Sequence, residues 1–186
     1  MTVMRYPGSH KQAVRARILE AAAEELRRHG LAGIGIPALM RRAGLTHGAF
    51  YAHFPSRDAL VAEAIGTAAA ASAAGPLSPS LSLEQSLALY LSPEHLAHPE
   101  RGCVIAALGA EGARQPAPVR SAFATAARGL LAAIERKLHP RQPAPEPSDG
   151  ALHLASAMVG AVVLARLVDD PDLARRLLAA ASSPGA

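Results

Sequence analysis

The chain has 186 residues, of which 50% are hydrophobic and only 3% aromatic, and its alanine and leucine content favours an all-helical protein. A single cysteine excludes an intrachain disulfide framework, and neither a secretory signal nor a purely apolar run of about eighteen residues is visible, so we expect a cytoplasmic protein with no membrane partner. The net charge of +4 is carried by residues 1–66, which indicates an anionic partner such as nucleic acid, although an ordinary basic surface would carry the same charge.

Four helical segments fill the first third of the chain. Residues 11–29 repeat apolar side chains at helical spacing, and Gly30 provides the stop. A second pattern, about two turns long, ends at Gly44. The stretch HGAFYAHF at 47–54 predicts a short third helix, and a longer fourth helix follows Ser56.

The rest of the chain predicts further helices separated by two loops. GPLSPSLS at 75–82 and QPAPEPS at 142–148 are rich in proline or serine and predict the loops. The helical patterns between and after them cover 83–91, 93–98, 103–114, 117–138, 149–168 and 170–182. Together with the first segments they predict an all-α chain of about nine helices. Residues 149–168 are apolar nearly all round, which indicates a core helix or, as we favour, a helix buried in a dimer.

The first third has the order of a helix-turn-helix unit, whose second helix lies in the major groove of DNA. Thr46 can cap that short second helix. Gly48 keeps its first turn low, so that the backbone can approach DNA closely. Phe50 and Phe54 are expected to point inward and hold the unit together. The side chains offered to phosphates or base edges are Thr46, His47, Tyr51 and His53.

The stretch AGLTHGAFYAHFPSRDAL, residues 43–60, resembles the signature of the TetR family of bacterial transcriptional regulators, and the resemblance covers residues 11–65. It implies a three-helix DNA-binding domain joined by a fourth helix to a ligand-binding, dimer-forming helical domain. We accordingly expect a DNA-binding domain at 1–66 and a ligand-binding and dimerisation domain at 67–186. In such proteins ligand binding moves the fourth helices and releases the operator.

The resemblance also assigns roles to single positions. The family's DNA-contacting positions correspond to Thr46, His47, Gly48, Tyr51 and His53. Arg57 takes the place of the usual lysine at the start of the fourth helix, where it can hold a phosphate. Arg42, with Arg41, faces either solvent or a phosphate. Gly35, which has no side chain for a phosphate contact, stands where serine or threonine usually caps the second helix.

Cys103 directly follows Gly102 at the start of an apolar helical pattern. Amide groups and the helix dipole stabilise a thiolate at such a place, and Arg101 adds positive charge, so Cys103 can sense electrophiles or oxidants. The alternative is a small buried hydrophobic residue. His95 and His98 could join Cys103 as metal ligands, but their spacing matches no closed zinc pattern, so we expect no metal.

No nucleophile elbow, phosphate loop, dinucleotide fingerprint or HExxH helix is visible, so we expect neither an enzyme nor a bound cofactor. A ligand pocket is expected among the helices of 83–168, where an apolar lining and a cavity can coexist. Arg166 can read a polar ligand group in that pocket. The alternative for Arg166 is a structural ion pair with Asp169 at the helix end.

These features and the TetR resemblance predict a homodimeric, ligand-responsive transcriptional regulator, and the resemblance implies that it acts as a repressor. Its expected partners are a palindromic double-stranded operator and a small-molecule or electrophile effector, and the dimer is expected to form through 117–138 and 149–168. The alternative is a helical interaction module whose basic N-terminal domain serves a protein or membrane partner. That module predicts no steep salt dependence of binding to duplex DNA, whereas counterion release predicts one.

Overall fold

The computed structural model describes residues 8–33 and 35–182, and within these residues the chain contains helices and loops but no strand. The α-helices are α1 (Gly8–His29), α2 (Ile36–Arg42), α3 (Arg57–Ala74), α4 (Leu83–Tyr90), α5 (Pro93–Ala97), α6 (Val104–Gly112), α7 (Ala117–Leu138), α8 (Asp149–Leu167) and α9 (Pro171–Ser182). Two 3₁₀ helices are η1 (His47–Ala52) and η2 (Pro99–Arg101). The prediction of an all-α chain of about nine helices is confirmed.

The helices α1, α2 and η1 form a three-helix unit around a buried core. Phe50 and Phe54 are 2% and 1% exposed, and their ring centroids lie 5.8 Å apart, so the predicted inward orientation is confirmed. Ile18 and Leu26 of α1 and Met40 of α2 are buried in the same core. The aromatic pair therefore fixes the short 3₁₀ helix against the two longer helices.

Two glycines make the turns of this unit. Gly30 ends α1 with a φ of +80°, and Gly44 follows α2 with a φ of +74°. Residues with a Cβ adopt such left-handed angles only at a cost, and no other described residue has a positive φ. The stop predicted at Gly30 and the turn predicted at Gly44 are confirmed.

The third element differs from the sequence prediction. His47–Ala52 is a 3₁₀ helix rather than an α-helix. Thr46 occupies the N-cap position, but its hydroxyl makes no capping hydrogen bond, so the prediction that the side chain caps this helix is wrong. The element is only six residues long and is confined between the Gly44 turn and Pro55, and such short pieces favour i→i+3 hydrogen bonds.

The helix α3 connects the N-terminal unit to the rest of the chain. Ser56 begins it, since its hydroxyl accepts the Ala59 amide at 3.1 Å. α3 packs against α1 at one end of the molecule and against α7 beyond it, and it runs without interruption through residues 66 and 67. One rigid helix therefore belongs to both of the domains expected from the sequence.

The C-terminal part packs α4 and α6 to α9 around a second hydrophobic core, in which Tyr90 is fully buried. α7 packs against α3, α6 and α8. The loop between α7 and α8 contains the predicted loop 142–148. Glu135 of α7 holds this loop, because its buried carboxylate accepts the Ser148 amide at 3.0 Å and the Ser148 hydroxyl at 2.6 Å.

The outer surface of the C-terminal part is apolar on α8. The exposed large apolar side chains of this part are Leu89, Leu152, Leu164, Leu167 and Leu173. Three of them lie on α8 and one lies on α9, whereas none lies on the described helix α7. The described helix α7 exposes mainly polar side chains. That 117–138 shares the dimer face with 149–168 stays a prediction.

The helix α8 is the one helix of the described residues that is long and apolar enough to cross a membrane. The core helix of a soluble protein passes the same test. α8 packs against α7 and α9 and buries Ala151, Leu154 and Met158 against them and their neighbours. Its apolar composition therefore agrees with a helix that has a buried inner side and an exposed leucine-rich outer side.

Candidate nucleic-acid interface and buried cavity

The recognition segment, residues 46–53, presents a low, open surface. Thr46, His47 and Gly48 are exposed, and Tyr51 is 70% exposed. A Cβ added to Gly48 would meet no atom within 4 Å, so no packing inside the chain requires a glycine there. The missing side chain instead lowers the outward surface, which suits close approach of the backbone to a large partner.

Tyr51 is positioned by the buried residue beside it. The Phe50 and Tyr51 rings meet edge to face, with centroids 5.1 Å apart, and Phe50 is fixed in the core. An exposed phenol with a rigid neighbour loses little conformational freedom when it binds a partner. Tyr51 is therefore a preorganised hydrogen-bond group on the outer side of η1.

His53 is only half-exposed, and its Nδ1 is buried without a hydrogen-bond partner among the described residues. Burial lowers the pKa of His53, and the charges of Lys11 and Arg15 lower it further, so the ring is neutral at pH 7. A neutral imidazole can donate from one nitrogen and accept at the other. His53 thus offers hydrogen bonds, and the adjacent cations supply the positive charge.

The two arginines predicted to meet phosphates make bonds inside the chain. Arg42 pairs with Glu24, at 2.8 Å between Nη2 and Oε2, and with Glu25. Arg57 donates from Nη2 to the Leu31 carbonyl. A guanidinium has five donors, so both can bind a phosphate with the remaining ones or by exchanging partners. Their role in DNA binding stays a prediction.

The basic residues of α1 next to the recognition segment were not singled out from the sequence. Arg17 is exposed and donates to the Ala43 carbonyl, next to the Gly44 turn. Arg15 lies 4.7 Å from the Phe54 ring centroid and donates to Glu63 at 2.6 Å. Arg17 and Arg15 lie 29 and 31 positions before Thr46, and only the regular spacing of Lys11 and Arg15 on α1 could have indicated a shared face.

A cavity of about 510 Å³ lies between α3, α6 and α7. Small residues of α3 and α7 that line it are Ala62, Gly66, Ala69, Ala70, Ala73, Ala122, Ala126, Gly129 and Ala133. Two packed helices with such small facing residues leave space between them, because no side chain fills it. α6 and α7 fall in the region 83–168 where a pocket was expected, but α3 lies outside it.

Cys103 lines this cavity, and hydrogen bonds of the His95 ring connect it to Tyr90. It is 6% exposed and occupies the N-cap position of α6, as its place in the sequence predicted. Its amide donates to His95 Nε2 at 3.0 Å, and His95 Nδ1 lies 2.5 Å from the Tyr90 carbonyl oxygen. These two bonds assign the proton to Nδ1, and burial lowers the pKa of His95, which keeps the ring neutral. Gly102 has no side chain because a Cβ there would collide with the His95 ring.

Arg166 of α8 is hydrogen-bonded to the backbone of α5, at His95 and Leu96. Its Nη2 donates to the His95 carbonyl at 2.6 Å and its Nε donates to the Leu96 carbonyl at 3.3 Å. The ion pair with Asp169 that we considered from the sequence is not formed in the described part of the chain, since Arg166 turns inward to α5 instead. Arg166 does not line the cavity.

Three donors beside Cys103 have no acceptor among the described residues: Arg27 Nη1, Tyr90 Oη and Arg166 Nη1. Arg27 of α1 uses its Nε to donate to the Glu100 carbonyl at 2.7 Å, which leaves Nη1 buried and unpaired. Burial raises the pKa of Tyr90 well above its usual value, and the neighbouring Cys103 thiol raises it further. We call Arg27, Tyr90, His95, Cys103 and Arg166 the Cys103 cluster. Sequence reasoning selected Cys103 and Arg166 but not the other members, which come from separate elements.

The predicted metal candidates do not gather around one point. His98 Nδ1 lies 3.2 Å from Glu100, and His95 Nε2 is occupied by the Cys103 amide. Within residues 8–33 and 35–182, no group of three or more histidine, cysteine or acidic side chains is arranged to hold a metal ion.

Comparison with known sequences gives a family match in the N-terminal third of the chain. Residues 18–64 match the family model described as bacterial regulatory proteins of the tetR family. This range contains most of α1, all of α2 and η1, and the first part of α3. No curated protein sequence matches the chain significantly.

Solved structures share the fold over nearly the whole chain. Escherichia coli NemR in its reduced form is 22% identical with a TM-score of 0.74, covering 91% of this chain and 93% of that chain. A TetR transcriptional regulator from Chloroflexus aurantiacus J-10-FL is 22% identical with a TM-score of 0.72, covering 94% of each chain. A TetR-family regulator from Cytophaga hutchinsonii is 17% identical with a TM-score of 0.73, covering 95% and 94%. Residues 18–64 thus match the tetR family model, and the chain as a whole shares the fold of solved TetR-family regulators.

Proposed function

We propose that this chain is a homodimeric transcriptional repressor that binds a palindromic operator through residues 46–53 and releases it when a small molecule or an electrophile enters the α3–α6–α7 cavity. One observation carries the proposal: α3, the helix that follows the exposed recognition segment in the chain, also lines the cavity. A change in the cavity can therefore move the segment that meets DNA.

The DNA-reading role is supported by the surface of the recognition segment. Thr46, His47 and Tyr51 are exposed hydrogen-bonding side chains, and Gly48 leaves room for the DNA backbone. Lys11 and Arg17 add exposed positive charge from α1. Hydrogen bonds to base edges give specificity, whereas cations contribute affinity through phosphates.

The ligand response is supported by two connections from the cavity to the N-terminal unit. The first is α3 itself. The second is α6, which begins at the cavity and ends near the α1–α2 turn, where the Leu31 amide donates to the Glu111 carboxylate at 2.8 Å. A ligand that separates α3, α6 and α7 would act on both connections at once, provided that it binds one arrangement better than the other.

The dimer is supported by the apolar outer side of α8. Leu152, Leu164 and Leu167 lie on this helix, and Leu173 continues the surface onto α9. Exposed apolar patches of this kind mark interfaces, and a two-fold axis through them would present two recognition segments to half-sites roughly 34–36 Å apart or a multiple of that. A chain that stays monomeric at micromolar concentration would contradict this part of the proposal.

The proposed division places DNA binding at 1–66 and ligand binding with dimerisation at 67–186, with α3 shared between them. A regulator that binds operator DNA works where the DNA is, so we propose a cytoplasmic location. TetR-family DNA-binding regulators are soluble.

The proposal is tested by binding of the purified chain to duplex DNA from the region upstream of its own gene, measured by fluorescence anisotropy over a salt series. We expect binding that prefers this duplex over a scrambled one and that weakens steeply with salt. The double variant Tyr51→Ala, His53→Ala should lose the preference, while Leu89→Ala, an exposed apolar change on α4, should keep it. Binding without salt dependence, or equal binding of both duplexes and no preference for any other duplex, would contradict the proposal.

A further inference from the structure

The Cys103 cluster contains donors that the folded chain does not satisfy. Tyr90 is 0% exposed and Arg27 is 8% exposed, yet Tyr90 Oη and Arg27 Nη1 have no acceptor within the described residues. Arg166 Nη1 is in the same state. Buried unpaired donors cost free energy, so three of them in residues of one cluster indicate a place that is completed by an added acceptor.

The three donor residues are not neighbours in the sequence, but contacts around Cys103 connect them. The His95 ring accepts the Cys103 amide at 3.0 Å and meets the Tyr90 ring with centroids 4.7 Å apart. The His95 carbonyl accepts Arg166 Nη2 at 2.6 Å. Arg27 donates to a backbone carbonyl of η2, three positions before Cys103. None of the three lines the cavity, whereas Cys103 does. Cys103 is therefore the point at which the apolar cavity meets the cluster of donors, and it is the single cysteine of the chain.

We propose that Cys103 is the covalent acceptor for a small α,β-unsaturated carbonyl compound that enters through the cavity. This proposal rests on the proposed function, because it names the class of compound that makes the regulator release DNA. The apolar part of such a compound fits a cavity lined mainly by alanine and glycine. Its carbonyl oxygen is the acceptor that the unpaired donors lack.

The reaction is an addition without a leaving group or an oxidant. The sulfur of Cys103 forms a bond to the β-carbon, and the electron pair of the carbon–carbon double bond moves toward the carbonyl oxygen to give an enolate. The thiol proton is then transferred to the α-carbon, so that the net change is addition of S–H across the double bond. No electrons are gained or lost by the protein and compound together.

The donors have their largest effect on the enolate oxygen, because its negative charge develops during the reaction. Tyr90 keeps its proton at neutral pH, since burial and its neighbours raise the pKa of the phenol. The guanidinium groups of Arg27 and Arg166 supply fixed positive charge. Preorganised donors aimed at a developing charge are a strong source of rate enhancement.

The site is connected to the DNA-binding unit by direct bonds. Arg27 lies on α1, and its Nε donates to the Glu100 carbonyl in η2 at 2.7 Å. Arg28 of α1 pairs with the Glu100 carboxylate at 3.4 Å. An adduct at Cys103 that recruits Arg27 and displaces the start of α6 would therefore act on the end of α1, from which the Gly30 turn leads to α2.

The test uses methyl vinyl ketone as the probe and intact-protein mass spectrometry as the readout, with the full chain folded. We expect one adduct per chain, none on Cys103→Ser, and a second-order rate above that of free glutathione. Tyr90→Phe should slow the addition by roughly tenfold or more. Ser86→Ala is the matched control, because Ser86 is another fully buried α4 residue with an unpaired hydroxyl, and it should keep the wild-type rate.

A rate no higher than that of glutathione, or equal rates for Tyr90→Phe and Ser86→Ala, would overturn the proposal. If Tyr90→Phe does not fold, Arg166→Gln compared with Arg128→Gln, an exposed α7 control, makes the same distinction. The duplex titration is then repeated with wild-type adduct, which should bind at least about tenfold more weakly. If the adduct binds the duplex as tightly as the unmodified chain, the proposal that this compound is the signal is overturned. If the unmodified chain binds no duplex, the proposed function is overturned, while the measured addition rates still test the reaction at Cys103.

Discussion

The recognition segment and the Cys103 cluster use similar residues in opposite surroundings. Tyr51 is 70% exposed, whereas Tyr90 is fully buried and its hydroxyl has no hydrogen-bond partner among the described residues. Gly48 faces open space, whereas Gly102 is required because a Cβ would strike the His95 ring. An unpaired group at the surface costs little because water satisfies it, but an unpaired buried group costs free energy. The first region is thus shaped for an outside partner, and the second for a ligand that reaches the interior.

The largest expected effect is on the free energy of unfolding, when the buried Phe50 of the recognition segment is compared with its exposed neighbour Tyr51. Phe50→Ala should lower the free energy of unfolding by about 3–5 kcal/mol, because it removes a buried ring from the N-terminal core. Tyr51→Ala, one residue away, should change it by less than about 0.5 kcal/mol. Urea unfolding followed by circular dichroism measures both. Equal losses would mean that Tyr51 is packed in the core rather than presented to a partner.

The next effect concerns operator affinity. Tyr51→Ala and His53→Ala together should weaken operator binding by at least about thirtyfold, since each contact to a base or phosphate contributes about 1–3 kcal/mol. The helical content should stay the same. Anisotropy titration at fixed salt measures the change. Tyr90→Phe, which alters the buried phenol, should leave the affinity of the unmodified chain unchanged, and a loss there as large as that of the surface variant would contradict the separation of the two regions.

A smaller effect on stability is expected at the hydrogen bond that connects α6 to the α1–α2 turn. Glu111→Gln removes the charge from the acceptor of the Leu31 amide, and it should lower the free energy of unfolding by about 1–2 kcal/mol. Glu146→Gln, an exposed change in the loop before α8, is the matched control and should have almost no effect. Thermal unfolding distinguishes them. A Glu111→Gln chain as stable as the control would show that α6 and the α1–α2 turn are not coupled through this bond.

The smallest effect is a pH dependence from the Cys103 cluster. Burial lowers the pKa of His95 in the folded chain, so below about pH 6.5 the unfolded chain binds more protons than the folded one. The free energy of unfolding should therefore fall as the pH drops, by at most about 1.4 kcal/mol per pH unit from this group. His95→Gln should reduce that slope relative to the wild-type chain, in which His53 contributes in the same direction. An unchanged slope would mean that His95 is not held neutral.

The recognition segment could be predicted from the sequence because its parts are local. Gly44, Phe50 and Phe54 lie within eleven residues of one another, and the glycine turn and the spacing of the aromatic pair require no knowledge of the rest of the chain. The 3₁₀ conformation and the uncapped Thr46 could not be predicted, since they depend on how tightly the segment is confined between the Gly44 turn and Pro55.

The Cys103 cluster was predicted only in part because its members are distant in sequence. Cys103 was selected from its place before an apolar helix, and that place is confirmed. Arg27 and Tyr90 lie in ordinary helical patterns, and nothing near them in sequence indicates that they lie close to Cys103 in the fold. The cavity has the same origin, because the small residues of α3 and α7 leave a space only once the two helices pack together.

The central claim is that residues 46–53 of a dimer read an inverted repeat in DNA. Its most direct test is selection of duplexes from a random-sequence library by the full chain, followed by sequencing. The account predicts enrichment of one inverted repeat whose half-sites lie about one helical turn, or a multiple of it, apart, and loss of that enrichment in the Tyr51→Ala, His53→Ala chain. No enriched sequence, or an enriched sequence that the double variant selects equally well, would contradict it.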